Sequence, residues 1–188
     1  MSRGINIAES FQMDNNLSST NIKPVVFLSH KSEDKDFVES IGEYLMDAGI
    51  DIYLDKNDFK LQRAVENEDS EKITKCIHEG ISKSDYILCF VSNKTVESWW
   101  VPYEIGYGRK SQKKISTLVR KDVDYIPDYL QIEEIIDSID DINSYIKNIT
   151  ASHYIPLLEQ QWFDSGVKEH ITKSSKYHVL YDYLKING

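Results

Sequence analysis

Tyr86-Ile87-Leu88-Cys89-Phe90-Val91, introduced by Ser84-Asp85 and closed by Ser92-Asn93, is the most hydrophobic run of the chain. An unbroken apolar series of this length reads as a strand buried on both faces, as strands at the centre of a parallel sheet are. Upstream, Val25-Val26-Phe27-Leu28 is a second such run, and Ile50-Asp51-Ile52-Tyr53-Leu54-Asp55 alternates as a strand does. Between these two, Phe37, Ile41 and Leu45 recur at helical spacing, with Val38 and Ala48 on the same stripe. Ser32 is the expected cap of that helix, Glu33 and Asp34 suit the positive end of its dipole, and Gly49 stops it. Ile73, Ile77 and Ile81 mark a further helix. Downstream of the central run, Trp99 to Lys110 reads as a helix with Pro102 in its first turn, where proline is tolerated. Ile115 to Val119 is a fourth strand, and a short fifth is expected near Ile132 to Ile136. Ile139, Ile142, Ile146 and Ile149 mark a last helix. Strands alternating with helices predict an α/β domain with a mostly parallel sheet covered on both faces.

The chain has 188 residues, enough for one domain with a core and some extra at its ends. A net charge of -9 excludes a general nucleic-acid binder, which needs a basic excess to neutralise phosphates. No apolar run approaches the roughly 18 residues that span a bilayer, so no membrane association is expected. The first 22 residues are polar and lack the apolar core of a signal peptide, which places the chain in the cytoplasm. Its two cysteines, Cys76 and Cys89, sit in apolar patterns and read as reduced thiols. The histidines at 30, 78, 153, 170 and 178 have no ligand spacing, so no metal site is expected. Residues 1–23 are rich in Asn and Ser and read as a flexible leader, with ordered structure starting at Pro24. Lys56 to Asp69 is a long charged loop of the functional or mobile kind. Residues 151–188 carry Tyr154, Trp162, Phe163, Tyr177, Tyr181 and Tyr183, and are expected to form an appended helical element or an oligomer contact.

In Ser98-Trp99-Trp100-Val101-Pro102-Tyr103-Glu104-Ile105-Gly106, the i, i+4 pair Trp100 and Glu104 shares one helix face. An indole beside a carboxylate suits a flat, cationic, sugar-bearing ligand: the ring stacks, and the carboxylate holds sugar hydroxyls or stabilises positive charge on the sugar. The alternative is a solvated Glu on an amphipathic helix with tryptophans in the core, Trp99 being the better core candidate. Ligands of open parallel sheets bind beyond the carboxyl ends of the strands. Ser29, His30, Asp55, Ser92 and Asn93 stand at those ends.

These residues, in this order, resemble a Toll/interleukin-1 receptor (TIR) domain. The resemblance covers about residues 24–150. It rests on Val-Phe-Leu-Ser-His-Lys-Ser-Glu-Asp-Lys-Asp at 26–36, Ile-Tyr-Leu-Asp at 52–55, Ser-Asp-Tyr-Ile-Leu-Cys-Phe-Val-Ser at 84–92 and Ser-x-Trp-x-x-x-Glu at 98–104. It implies a flavodoxin-like, doubly wound sheet of about five parallel strands. In bacterial members, such as those of Thoeris antiphage defence, it implies cleavage of NAD+ at the nicotinamide–ribose bond, with NAD+ as substrate and no cofactor. It further implies a product that is ADP-ribose, a cyclic form or a conjugate, a downstream effector that reads it, and homo-oligomers on activation. By the same resemblance Glu104 is catalytic and Trp100 stacks on the substrate. Ser29 and His30 form the polar turn after the first strand. Lys31 is a phosphate-binding candidate, Asp55 an anchor for the following loop, and Tyr103 a neighbour of the substrate. One departure is that the loop after the second strand lacks the Pro-Gly pair usual in the family. Rival readings are a non-enzymatic self-association module and a nucleoside-acting transferase of the same fold class.

Overall fold

A computed structural model of the chain describes residues 2–10, 23–54, 67, 69–154 and 178–186. Five strands, β1 (Val25–Ser29), β2 (Asp51–Tyr53), β3 (Tyr86–Val91), β4 (Lys114–Val119) and β5 (Glu134–Ile136), form one sheet. Its order is β2-β1-β3-β4-β5 and every pairing is parallel. This is the flavodoxin-like, doubly wound arrangement, whose winding reverses between β1 and β3. The helices are α1 (Ile7–Ser10), α2 (Lys35–Asp47), α3 (Ser70–Lys83), α4 (Trp100–Lys110), α5 (Asp128–Gln131) and α6 (Ile139–Tyr154). Among the described residues, no helix is long and apolar enough to cross a membrane.

Strand alternation divides the core into two layers. Val26, Leu28, Leu88, Phe90, Leu118 and Ile136 face α2 and α6. Phe27, Tyr53, Ile87, Cys89, Val91, Ile115 and Val119 face α3 and α4. Central β3 is buried on both faces from Ile87 to Val91, as its composition requires. Gly49 closes α2 in the left-handed region, at φ 83°, and its N–H reaches the Met46 carbonyl at 2.9 Å. On the α3/α4 side the helices lie close to the sheet. A Cβ on Gly80 would sit 2.5 Å from a Tyr53 ring carbon, and one on Gly108 would sit 2.1 Å from Ile87 Cδ1.

The short fifth strand expected near Ile132 to Ile136 is present as Glu134–Ile136, with the small helix α5 before it. Three local expectations are corrected. Ser32 does not cap α2; it opens a 3₁₀ turn, Ser32–Asp34, and α2 starts at Lys35. Residues 3–9 are ordered against the sheet edge. The Ile52 N–H donates to the Ile5 carbonyl at 2.9 Å and the Gly4 N–H to the Met46 carbonyl at 2.7 Å, while Arg3 pairs with Asp47 at 2.8 Å and with Glu43. This stretch satisfies the open edge of β2 with backbone bonds, which leave no side-chain period to read. Residues 178–186 form turns rather than a helix, and bury Leu180 and Leu184 in the α2/α6 layer. There the Leu180 N–H donates to His178 Nδ1 (3.2 Å), which leaves the proton on Nε2 to reach the Tyr44 hydroxyl (2.8 Å); Tyr44 in turn donates to Asn143 Oδ1 (2.6 Å). The remainder of the expected leader and C-terminal extension lies outside the described residues.

Gly106 and Gly108 give a matched test of the helix–sheet contact. Gly106 has open space around it, so Gly106→Ala is expected to raise stability by up to about 1 kcal/mol through helix propensity. At Gly108 the same gain is outweighed by overpacking against buried Ile87, which costs about 1–3 kcal/mol. Urea melts of the two variants should therefore move in opposite directions.

Candidate active site

The strand register sets a row of polar side chains across the sheet under α4. Ser29 of β1 pairs with Cys89 of β3, and Cys89 pairs with Thr117 of β4. All three are buried, on the face that α3 and α4 cover. Glu104 projects onto this row from the buried stripe of α4, which also carries Val101, Ile105 and Gly108. The carboxylate is 4% exposed, and the Ser29 hydroxyl donates to its Oε2 at 2.6 Å. Such charge-assisted bonds are short and about twice as strong as neutral ones. Glu104 thus points into the protein at the carboxyl end of β1, beside the point where the winding reverses.

Two further groups belong to this layer, and sequence reading assigned neither to the site. Burial, reinforced by the charge on Glu104, pushes the Cys89 thiol up, and its hydrogen bond with Ser29 opposes the shift only in part. The Tyr129 phenol is pushed up to about 12 by burial, then by Cys89 and Glu104. Its buried hydroxyl has no hydrogen-bond partner among the described residues. Tyr129 lies on α5, held over the row by the Thr117 hydroxyl, which donates to the Leu130 carbonyl at 3.1 Å. A tyrosine in a four-residue helix has no periodic signal, so it was legible only after folding.

The turn from β3 into α4 is braced by buried polar groups. The Ser92 hydroxyl donates to Asp34 Oδ2 at 2.7 Å, and the Ser92 N–H donates to Thr95 Oγ1 at 2.9 Å. Asp34, foreseen as a helix-dipole partner, therefore also ties the 3₁₀ turn after β1 to the end of β3. Ser98 accepts from the Val101 N–H at 3.2 Å and caps the first turn of α4.

Trp100 stands one turn before Glu104, 37% exposed, with its ring edge-on to Tyr103 at 6.0 Å. Tyr103 is itself exposed, and its hydroxyl meets His78 Nε2 at 2.6 Å. The His78 ring stacks on Tyr107 at 3.8 Å. His78 of α3, unassigned from the sequence, therefore sets the orientation of the aromatic wall beside Trp100. The expectation that Trp99 packs in the core is wrong, since it is 91% exposed. It precedes the first residue of α4 and projects away from the buried stripe.

The remaining candidates sit at the same sheet edge. His30 Nδ1 lies 3.0 Å from the Leu28 carbonyl, which turns the ring back along β1. The Lys31 ammonium is held by Glu97 at 2.9 Å and by Glu33 at 3.6 Å, so a phosphate there would have to compete with two carboxylates. The hydrogen bond to Glu97 is the main cause that raises the Lys31 pKa. Asp55 lies outside the described residues, as does most of the Lys56 to Asp69 loop. Asp69, at its end, caps α3 by accepting from the Lys72 N–H at 3.1 Å.

The chain matches the TIR domain family over residues 26–150 and belongs to it. It is 29% identical over 163 residues to the 2' cyclic ADP-D-ribose synthase BtTIR of Bacteroides thetaiotaomicron, covering 76% of this chain and 54% of that protein. It is 34% identical over 80 residues to the NAD(+) hydrolase TirS of Staphylococcus aureus (strain MSSA476), covering 42% of this chain and 26% of that protein. The chain thus spans about half the length of the first and a quarter of the second. Among solved structures it is similar to the CMP N-glycosidase BcmB of Clostridium botulinum, with a TM-score of 0.42 and 19% identity, covering 66% of this chain and 96% of that one.

The buried acids of the site and core set an alkaline limit on stability. Cys89, Tyr44 and Tyr129 all hold their protons more tightly folded than unfolded. Their contribution is intact below the unfolded values of 9.0 for the thiol and 10.0 for the phenols, and is lost as pH rises above them. Each such group should cost about 1.4 kcal/mol per pH unit in that window. Urea melts between pH 8 and 11 should show this decline, and Cys89→Ala should delay its onset by about one pH unit.

Proposed function

We propose that this TIR domain cleaves NAD+ at the bond between nicotinamide and ribose. The observation that carries this is Glu104: a carboxylate buried to 4% exposure, held by Ser29 at 2.6 Å, one helical turn from a half-exposed indole. The names of the two bacterial relatives support it, each describing an enzyme of NAD+ or of cyclic ADP-ribose.

The chemistry follows from the substrate. Nicotinamide leaves as a neutral base, so its departure needs no proton from the protein. The bonding pair goes to the pyridine nitrogen, and positive charge develops at the ribose C1' and ring oxygen. A preorganised carboxylate stabilises that charge and accepts hydrogen bonds from ribose hydroxyls. Ser29 holds Glu104 in one rotamer, so little reorganisation accompanies the charge change. Trp100 supplies a stacking face for a planar ring, and the His78-oriented Tyr103 stands edge-on beside it. Water attacking C1' yields ADP-ribose and a proton. A hydroxyl of the same molecule attacking it yields a cyclic product. We assign the product to this ADP-ribose class, sensed by a separate effector in antiphage defence, in the cytoplasm.

Glu104→Gln keeps the shape and the Ser29 contact but removes the charge, so nicotinamide release should fall by at least about a thousandfold with the melting temperature nearly unchanged. Ser29→Ala should lower turnover about tenfold, the value of one charge-assisted bond. Trp100→Ala should act mainly on KM. Chromatography of NAD+ and nicotinamide measures all three, and wild-type turnover by Glu104→Gln would sink the reading.

The proposal includes self-association on activation. Trp99, 91% exposed, and Val96, 57% exposed, are large apolar side chains left in solvent in the segment that leads into α4, more apolar surface than a solvated helix start needs. Turnover per molecule is expected to rise with protein concentration, and Trp99→Ser to flatten that rise. Constant specific activity on dilution would count against assembly.

A further inference from the structure

A second polar site lies at the other end of the sheet, among the amino-terminal ends of β3, β4 and β5. There the sheet and the carboxyl-terminal half of α6 part to leave a cavity of about 460 Å³, within the range of small-ligand sites. Its floor is set by register: Tyr86 of β3 pairs with Lys114 of β4, and Ser116 of β4 pairs with Glu134 of β5. Its wall is one face of α6, carrying Tyr145 and Asn148. Lys113, just before β4, closes the rim.

Three features of the cavity exceed what packing needs. Tyr145 is 3% exposed and lines the cavity, yet its hydroxyl has no hydrogen-bond partner among the described residues. Leaving such a group unsatisfied costs about 1–3 kcal/mol. Burial, then the nearby Glu134 and Tyr86, push its pKa upward, which keeps it a neutral donor. Two lysines also stand at the rim. Lys113 donates to the Ser84 carbonyl at 2.6 Å and to the Ser82 carbonyl at 3.4 Å, and among the described residues neither it nor Lys114 forms an ion pair. Glu133 is held by Arg109, so it does not answer the lysines. Finally, Glu134 has its Oε2 anchored by the Ser116 hydroxyl at 2.9 Å, which fixes a carboxylate facing the same space.

We propose that this cavity binds a small phosphorylated sugar, either free or as the ribose phosphate of a mononucleotide. The two lysines take the phosphate, the anchored Glu134 carboxylate accepts from vicinal sugar hydroxyls, and the Tyr145 hydroxyl donates to a ligand oxygen. The Tyr86 ring offers the apolar contact that a sugar face or a base needs. The site is separate from Glu104 and independent of the reaction assigned there.

Calorimetric titration of the full chain with ribose 5-phosphate, adenosine monophosphate and inorganic phosphate tests this. Binding of either ribose phosphate below about 1 mM is expected, weakened at least tenfold in both Tyr145→Phe and Lys114→Ala. The two ribose phosphates distinguish a free sugar phosphate from a nucleotide. Without ligand, Tyr145→Phe should melt higher than the wild type, because it removes an orphaned hydroxyl and opens no cavity. Absence of binding at 1 mM, binding that both variants retain in full, inorganic phosphate binding as tightly as the sugar phosphates, or a lower melting temperature for Tyr145→Phe would overturn the proposal.

Discussion

The Glu104 carboxylate lies between a helix and a parallel sheet, where folding alone does not need a charge. Burying an ion costs several kcal/mol, and one charge-assisted hydrogen bond returns about 1.5–3. The Ser29 bond at 2.6 Å is one of the interactions that offset that cost. Everything around the carboxylate keeps it in place. Gly108, one turn later, draws α4 onto Ile87, and the strand register sets Ser29, Cys89 and Thr117 in a row beneath it. Asp34 and Ser92 lock the turn that launches the helix.

The two core layers divide the work. The α2/α6 side is anchored by an ordered chain, His178 to Tyr44 to Asn143, that joins the C-terminal turns to both helices. The α3/α4 side carries the candidate site: the Ser29–Glu104 pair, the Cys89 thiol and a Tyr129 hydroxyl with no hydrogen-bond partner among the described residues. The two proposed sites lie at opposite ends of the same strands, with Glu104 near the carboxyl ends and the Tyr145 cavity at the amino ends.

The strands and principal helices were legible because burial on two faces leaves continuous apolar runs, as in β3, and burial on one face leaves i, i+4 stripes, as in α2 and α3. Where backbone bonds or single contacts decide the structure, no such pattern exists. Residues 3–9 complete the sheet edge through main-chain groups, Trp99 turns outward next to buried Val101, and α5 is one turn long. Glu104, Trp100 and Ser29 were legible because helical spacing and strand ends carry geometric meaning. His78 and Tyr129 were not, since each reaches the site from another element.

The sequence by itself determined the order of elements, a parallel sheet covered on both faces and the acid–indole pair on one helix, because periodicity and spacing are local. Only the tertiary structure decided that the acid points inward, which hydroxyl holds it, and which thiol and phenol share its layer. Those facts depend on register between strands that are distant in the chain, and on how closely a helix can approach them.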